Sequence, residues 1–249
     1  MVNNRSTPLP LFASLHSHFE AQVNKTPNAI AVVTQYNNVS YQALDYQANK
    51  LADKILSLPL HCKVIPIHID RSANYLVAII GILKAGCSYI PLDSKIPKDR
   101  ISAILQEAQA TIVVTDQAEL PFNVETVIDI NAVITDQSLS NKRPEIDVYE
   151  DHIAYTIFTS GSTGMPKGVN ISHAAIVNYA LDITHKIKLH DHAQYAHIST
   201  LTADLGLTML FPALLNGATL HLLSNALFLD ANKFSDYIKR NKIDCLKIT

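Results

Sequence analysis

Short apolar runs alternate with helical stripes along almost the whole chain, and that alternation limits the folds open to it. Residues 29–33, 64–69, 88–92, 111–115, 153–158, 194–199, 219–223 and 243–249 each read as a strand, rich in Val, Ile, Tyr and Thr. Between them lie helical patterns. Phe12, Leu15, Phe19 and Val23 recur at helical spacing before Pro27. Ser40 is placed to cap a helix that carries Leu44, Ala48, Leu51, Ala52 and Ile55 on one face. Residues 75–84 form an apolar helix ending near Gly86, and Pro97 opens another with Ile101, Ile104, Leu105 and Ala108 inward. Further helices are expected from about Ser172, over 205–215 and over 232–240. Strands separated by helices predict an α/β fold of parallel sheets covered by helices. Residues 124–130 give a weaker strand and 135–145 a polar stretch. The expected organisation is therefore a first α/β subdomain over 1–150 and a second, incomplete one over 151–249.

The 249 residues suffice for a sizeable core. With 20 basic and 22 acidic residues spread along the chain, no basic block points to nucleic acid or an anionic membrane. The N-terminus lacks a secretory pattern, and the apolar run 75–83 is broken by Lys84, too short for a bilayer. Cys62, Cys87 and Cys245 are far apart and odd in number, which fits reduced thiols in a cytoplasmic protein. His185, His190, His192 and His197 match no common zinc spacing, so no metal site is expected from them. His16 and His18 flank the first apolar stripe and read as surface residues, and His173 reads as part of a helix start.

Chemistry concentrates in residues 159–168, TSGSTGMPKG, between a strand and the helix expected from Ser172. Glycines allow consecutive amides to converge into an anion nest. Thr159, Ser160, Ser162 and Thr163 add hydroxyls, Gly161 and Gly164 free the backbone, and Lys167 adds a mobile cation, a set suited to a polyphosphate. The run is not GxxxxGK[ST], so P-loop chemistry is not implied.

This run resembles the phosphate loop of the adenylate-forming ligases, which include acyl-CoA synthetases, luciferases and the adenylation domains of nonribosomal peptide synthetases. Residues 26–33 (TPNAIAVV), 39–52 (VSYQALDYQANKLA) and 83–101 (LKAGCSYIPLDSKIPKDRI) are similar to successive stretches of those adenylation domains. The last of these reads as scaffold: a helix cap at Gly86, a strand and a new helix. In STLTADLGLTMLFPALLNGATL (199–220), Asp204 stands seven residues before Phe211. The resemblance gives that aspartate to the α-ammonium group of an amino-acid substrate, while its sequence position also suits a helix N-cap. Ala203 stands where the family usually has Phe, and Gly206 where Ser is common.

The resemblance implies activation of an amino acid by ATP, with Mg2+, as an aminoacyl-AMP for loading onto a phosphopantetheinyl carrier protein. Lys167 would neutralise the pyrophosphate, and Thr159, Ser160, Gly161, Ser162, Thr163 and Gly164 would bind phosphate oxygens. Family members are about twice as long, and the chain stops on CLKIT inside an expected strand. It therefore reads as truncated and as needing the C-terminal half of the domain as a partner. A ligase for fatty or aryl acids, or a non-catalytic split or remnant half-domain, are the other readings.

Overall fold

The computed structural model describes residues 13–59, 63–160, 166–189, 193–200, 202 and 204–247, with the side chains of Ser160, Asp204 and Leu205 outside the described set. In chain order the elements are α1 (Leu15–Lys25), β1 (Ile30–Val33), β2 (Asn38–Ser40), α2 (Tyr41–Leu56), β3 (Val64–His68), α3 (Ala73–Lys84), β4 (Ser88–Pro91), α4 (Lys98–Glu107), β5 (Ile112–Thr115), β6 (Thr126–Asp129) and α5 (Ile130–Thr135). They continue with β7 (Ile153–Ser160), β8 (Pro166–Ser172), α6 (His173–Lys186), β9 (Gln194–His197), α7 (Asp204–Asn216), β10 (Thr219–Leu222), α8 (Asn225–Phe228), α9 (Ala231–Arg240) and β11 (Cys245–Leu246).

Polar side chains set several helix starts. Ser40 accepts from the Ala43 amide, Ser172 from Ala175 and Asp230 from Lys233, each satisfying an amide that the first turn leaves unbonded. At the other end of α3, Gly86 adopts φ 69°, the left-handed conformation that lets the chain leave the helix and enter β4.

The strands form two sheets. One is six-stranded in the order β6-β5-β3-β4-β7-β8; the other is five-stranded in the order β11-β9-β10-β1-β2. Pairing is parallel except where β8 joins β7 and β2 joins β1. Each sheet draws strands from both sides of residue 150.

Period-two alternation sorts side chains between layers. In β5, Ile112 and Val114 face the main core, while Val113 faces outward against Ile101, Ile104 and Leu105 of α4. In β9, Tyr195 faces the same main core, and Ala196 faces Phe234 and Tyr237 of α9. The main core also holds the apolar faces of α1, α2, α3, α6 and α7, so these helices lie between the two sheets. α3 is buried along almost its entire length because it has a sheet on one side and α2 on the other.

Two expectations change. Residues 166–168, read as the end of the phosphate loop, belong with 169–172 to an antiparallel edge strand paired with β7. His16 is buried rather than on the surface: its ring contacts Ser14 Oγ and meets His173 edge-on at 5.8 Å. Burial, with His173 beside it, pushes His16 down to about 3, and burial pushes His173 down to about 4.

Candidate functional site: the carboxyl ends of the two sheets

The carboxyl edge of the six-stranded sheet carries the polar residues. Register brings Thr159 opposite Lys167 and Ser160 opposite Pro166, so β7 and β8 hold both ends of the 161–165 segment at a fixed separation. Thr159 Oγ1 donates to the Lys167 carbonyl at 3.4 Å. Lys167 is exposed, and no carboxylate among the described residues forms an ion pair with it. An exposed cation beside a hydroxyl, with no ion-pair partner among the described residues, suits an incoming polyanion. Of the sequence-derived phosphate residues, Gly161, Ser162, Thr163 and Gly164 lie outside the described residues.

The neighbouring strand ends complete the edge. β4 pairs with β7 through Tyr89 and Tyr155, whose rings stack at 5.5 Å. Beyond β4, Asp93, Ser94 and Lys95 line a cleft of about 370 Å3 together with Asp70 and Arg71 from the end of β3. Ile198, Thr200 and Ser224 line its opposite wall, beyond the ends of β9 and β10. Clefts outside the carboxyl ends of parallel strands are the usual ligand positions in open α/β sheets.

Arg71 fixes the two walls. Its guanidinium donates to the carbonyls of Ile198 at 3.1 Å and Ser199 at 2.8 Å, and to that of Leu223. One side chain from the six-stranded sheet thereby satisfies carbonyls beyond two strands of the other sheet. Burial draws the Arg71 guanidinium below its ordinary value, and Asp93 and Asp70 oppose that shift. Ser94 Oγ donates to Asp70 at 2.7 Å, fixing one of these carboxylates.

Asp204 opens α7, one of the interior helices. The glycine two positions later has a steric cause: a β-carbon at Gly206 would stand 2.7 Å from His197 Nε2 and 2.9 Å from the Thr200 carbonyl. Burial pushes His197 down to about 4, with Arg71 adding to the effect. A neutral imidazole thus fills the space that a side chain at 206 would need. Of the four histidines read together, His185 falls in the last turn of α6, and His190 and His192 lie outside the described residues.

Sequence reasoning missed Arg71, Asp70 and the contribution of Asp93–Lys95, having read 83–101 as scaffold. The available signal was position: polar residues immediately following parallel strands project to the carboxyl edge. The carbonyls Arg71 binds lie at a sequence separation of 127 or more, which no local pattern carries.

Known proteins match this architecture. The family model described as AMP-binding enzyme matches residues 19–249. The chain is 32% identical over 245 residues to surfactin synthase subunit 2 of Bacillus subtilis (strain 168), covering 96% of the chain and 7% of that protein. It is similar in structure to the nonribosomal peptide synthetase FmoA3 (S1046A) in its alpha-methyl-L-serine-AMP bound form, with TM-score 0.85, 25% identity, and coverage of 95% of this chain and 27% of that one. The N-terminal subdomain of Klebsiella oxytoca NpsA has the same fold at TM-score 0.81 and 23% identity, over 94% of this chain and 59% of that one. The chain thus spans a small part of the synthetases it matches. With two helix-flanked sheets, a family match over nearly all of its length and its likeness to an N-terminal subdomain, the chain belongs to the AMP-binding enzyme family, as the N-terminal part of an adenylation domain of nonribosomal-peptide-synthetase type.

Proposed function

We propose that this chain supplies the phosphate-binding edge and the amino-group contact for ATP-dependent activation of an amino acid as aminoacyl-AMP. The observation that carries this reading is the β7–β8 pairing, which holds Thr159 and Lys167 opposite each other at the carboxyl edge of a sheet. In the reaction the substrate carboxylate attacks the α-phosphorus and pyrophosphate leaves. Lys167 would neutralise the leaving group as a point charge, and Thr159, Ser160, Ser162 and Thr163 with the amides of Gly161 and Gly164 would bind its oxygens. Mg2+ would arrive with the nucleotide and offset charge between phosphate oxygens. Asp204 would pair with the α-ammonium group, each charge relieving the other's loss of water. The adenylate would then pass to the phosphopantetheine arm of a carrier protein, with the C-terminal portion of the domain completing the site. A cytoplasmic location suits this chemistry. Among the described residues no helix is long and apolar enough to cross a membrane.

The FmoA3 relative holds an amino acid joined to AMP, which supports the reading of substrate class. The test uses the protein that carries this chain. Lys167→Ala is expected to reduce amino-acid-dependent ATP–pyrophosphate exchange by about 100-fold or more, the size of losing one transition-state charge contact. Unchanged exchange would remove Lys167 from the mechanism. Asp204→Ala is expected to raise the KM for the amino acid far more than that for ATP; an equal rise in both would assign Asp204 to capping α7.

A further inference from the structure

Arg71 stands between β3 and α3, directly before Ser72, the residue that caps α3. Because α3 is buried along almost its whole length, the base of this side chain is anchored to the packed core. Its Nη2 donates to the carbonyls of both Ile198 and Ser199, and its Nη1 donates to that of Leu223. The first two residues follow β9 and the third follows β10, so one planar fork of donors sets the exits of two neighbouring strands.

The segment that Arg71 holds is also the surface on which α7 begins. Gly206, in the first turn of α7, lies so close to the His197 ring and the Thr200 carbonyl that a β-carbon there would force a neighbour to shift. Thr200 Oγ1 is in turn 3.5 Å from Asp93 Oδ2, on the opposite wall of the cleft. Residues 197–200 are therefore held from two sides, by Arg71 through their carbonyls and by the first turn of α7 through close packing. An interior without spare volume transmits a displacement rather than absorbing it. Loss of the guanidinium would release the Ile198 and Ser199 carbonyls, and the helix start resting on this segment would shift with it.

We propose that Arg71 is a positioning residue for the amino-acid substrate, acting through the backbone of 198–200 on the first turn of α7. The inference rests on the amino-acid activation reading above, which gives that turn the contact with the α-ammonium group. It adds a residue, remote in sequence, that sets where the turn stands. Placement on this scale matters, since a misplacement of about 1 Å can cost about 100-fold. The phosphate-binding edge is held by the separate pairing of β7 with β8, so ATP binding is expected to be insulated from Arg71.

The test is pyrophosphate exchange by the protein carrying this chain, first with the proteinogenic amino acids and 3-hydroxybenzoate, then with the best amino acid on variants. Arg71→Gln is expected to raise the KM for the amino acid about 10-fold or more and to leave that for ATP within about twofold. Arg71→Lys, which keeps the charge and some donors, should recover part of the loss. Gly206→Ala displaces the same segment from the other side and should give the same split. The double variant Arg71→Gln/Gly206→Ala should then fall short of the product of the single effects, because both act on one segment. If Arg71→Gln does not fold, as read by thermal melting, Arg71→Lys combined with Gly206→Ala makes the same comparison. An equal rise in both KM values, an unchanged KM for the amino acid, or single effects that multiply in the double variant overturns the positioning role while amino-acid activation stands. Exchange with 3-hydroxybenzoate and with no amino acid overturns the amino-acid reading itself, and this inference with it.

Discussion

Lys84 and Lys167 carry the same group into opposite surroundings. The Lys84 side chain is completely buried at the end of α3, where it pairs with Glu20 of α1 and with Asp45 of α2 at 2.7 Å. Arg143 closes the group, its Nε lying 3.1 Å from Asp45 and 3.7 Å from Glu20. Two cations and two anions from three helices and a following segment thus balance at the edge of the core, with Lys84 and Asp45 buried and Glu20 and Arg143 partly exposed. Lys167 stands exposed at the start of β8 without such a partner among the described residues. A buried charge requires internal partners because burial removes its water, whereas an exposed one keeps its hydration until a ligand displaces it. The first arrangement joins helices; the second leaves a charge available for chemistry.

Substitutions at these two positions should therefore separate stability from function. Lys84→Met leaves Glu20 and Asp45 short of a cation and is expected to lower stability by about 3–5 kcal/mol in urea unfolding. If the loss is below about 1 kcal/mol, the network is not holding α1, α2 and α3 together. Gly81→Ala probes the packing around the same helix pair. A β-carbon there would stand 2.8 Å from Leu51 Cβ and 2.9 Å from the Ala48 carbonyl, so a loss of about 1–3 kcal/mol is expected.

Acid should act on the interior without acting through Lys167. His16, His173, His197 and His221 are held neutral in the fold, the first at about 3 and the others at about 4, against an ordinary value of 6.5. Between those values the unfolded chain binds more protons than the folded one, so stability is complete above about pH 6.5 and falls as pH drops toward 4. The melting temperature should follow that slope, and His173→Gln should flatten it; an unchanged slope would remove His173 from the effect. The smallest expected change is in the stability of Lys167→Ala, within about 0.5 kcal/mol of the parent by thermal melting, since an exposed side chain with no ion pair among the described residues contributes little to the fold. A larger loss would make Lys167 structural and weaken the contrast with Lys84.

The same contrast marks what could be read from residues alone. The α2 stripe was legible because Leu44, Ala48, Leu51, Ala52 and Ile55 recur at helical spacing behind Ser40, and all five are fully buried. The strands β3, β5 and β10 were legible as apolar runs between turn residues. β8 was not, because PKGVNIS has neither a continuous apolar run nor clean alternation, and an edge strand with exposed residues needs neither. α5 was missed: the strand expected over 124–130 reaches only its first residue, and a six-residue helix capped by Asp129 is too short to show a period. The loop residues and Asp204 stood out as chemical types in order, whereas nothing in the local sequence singled out Arg71, whose partners are carbonyls 127 or more residues away.

Local sequence determined the alternation of strands and helices, their caps, and a glycine- and hydroxyl-rich turn bearing a lysine, because period, capping and turn preference act between residues a few positions apart. Tertiary structure decided which strands became neighbours. It paired β1 with β10, where Thr219 Oγ1 reaches the Ile30 carbonyl across a separation of 189 residues, and brought Arg71 to carbonyls of the opposite sheet. It also set Lys247 against Thr208. These choices depend on burying both faces of two sheets at once and on pairing each charge that the burial encloses, and neither condition exists until distant segments have met.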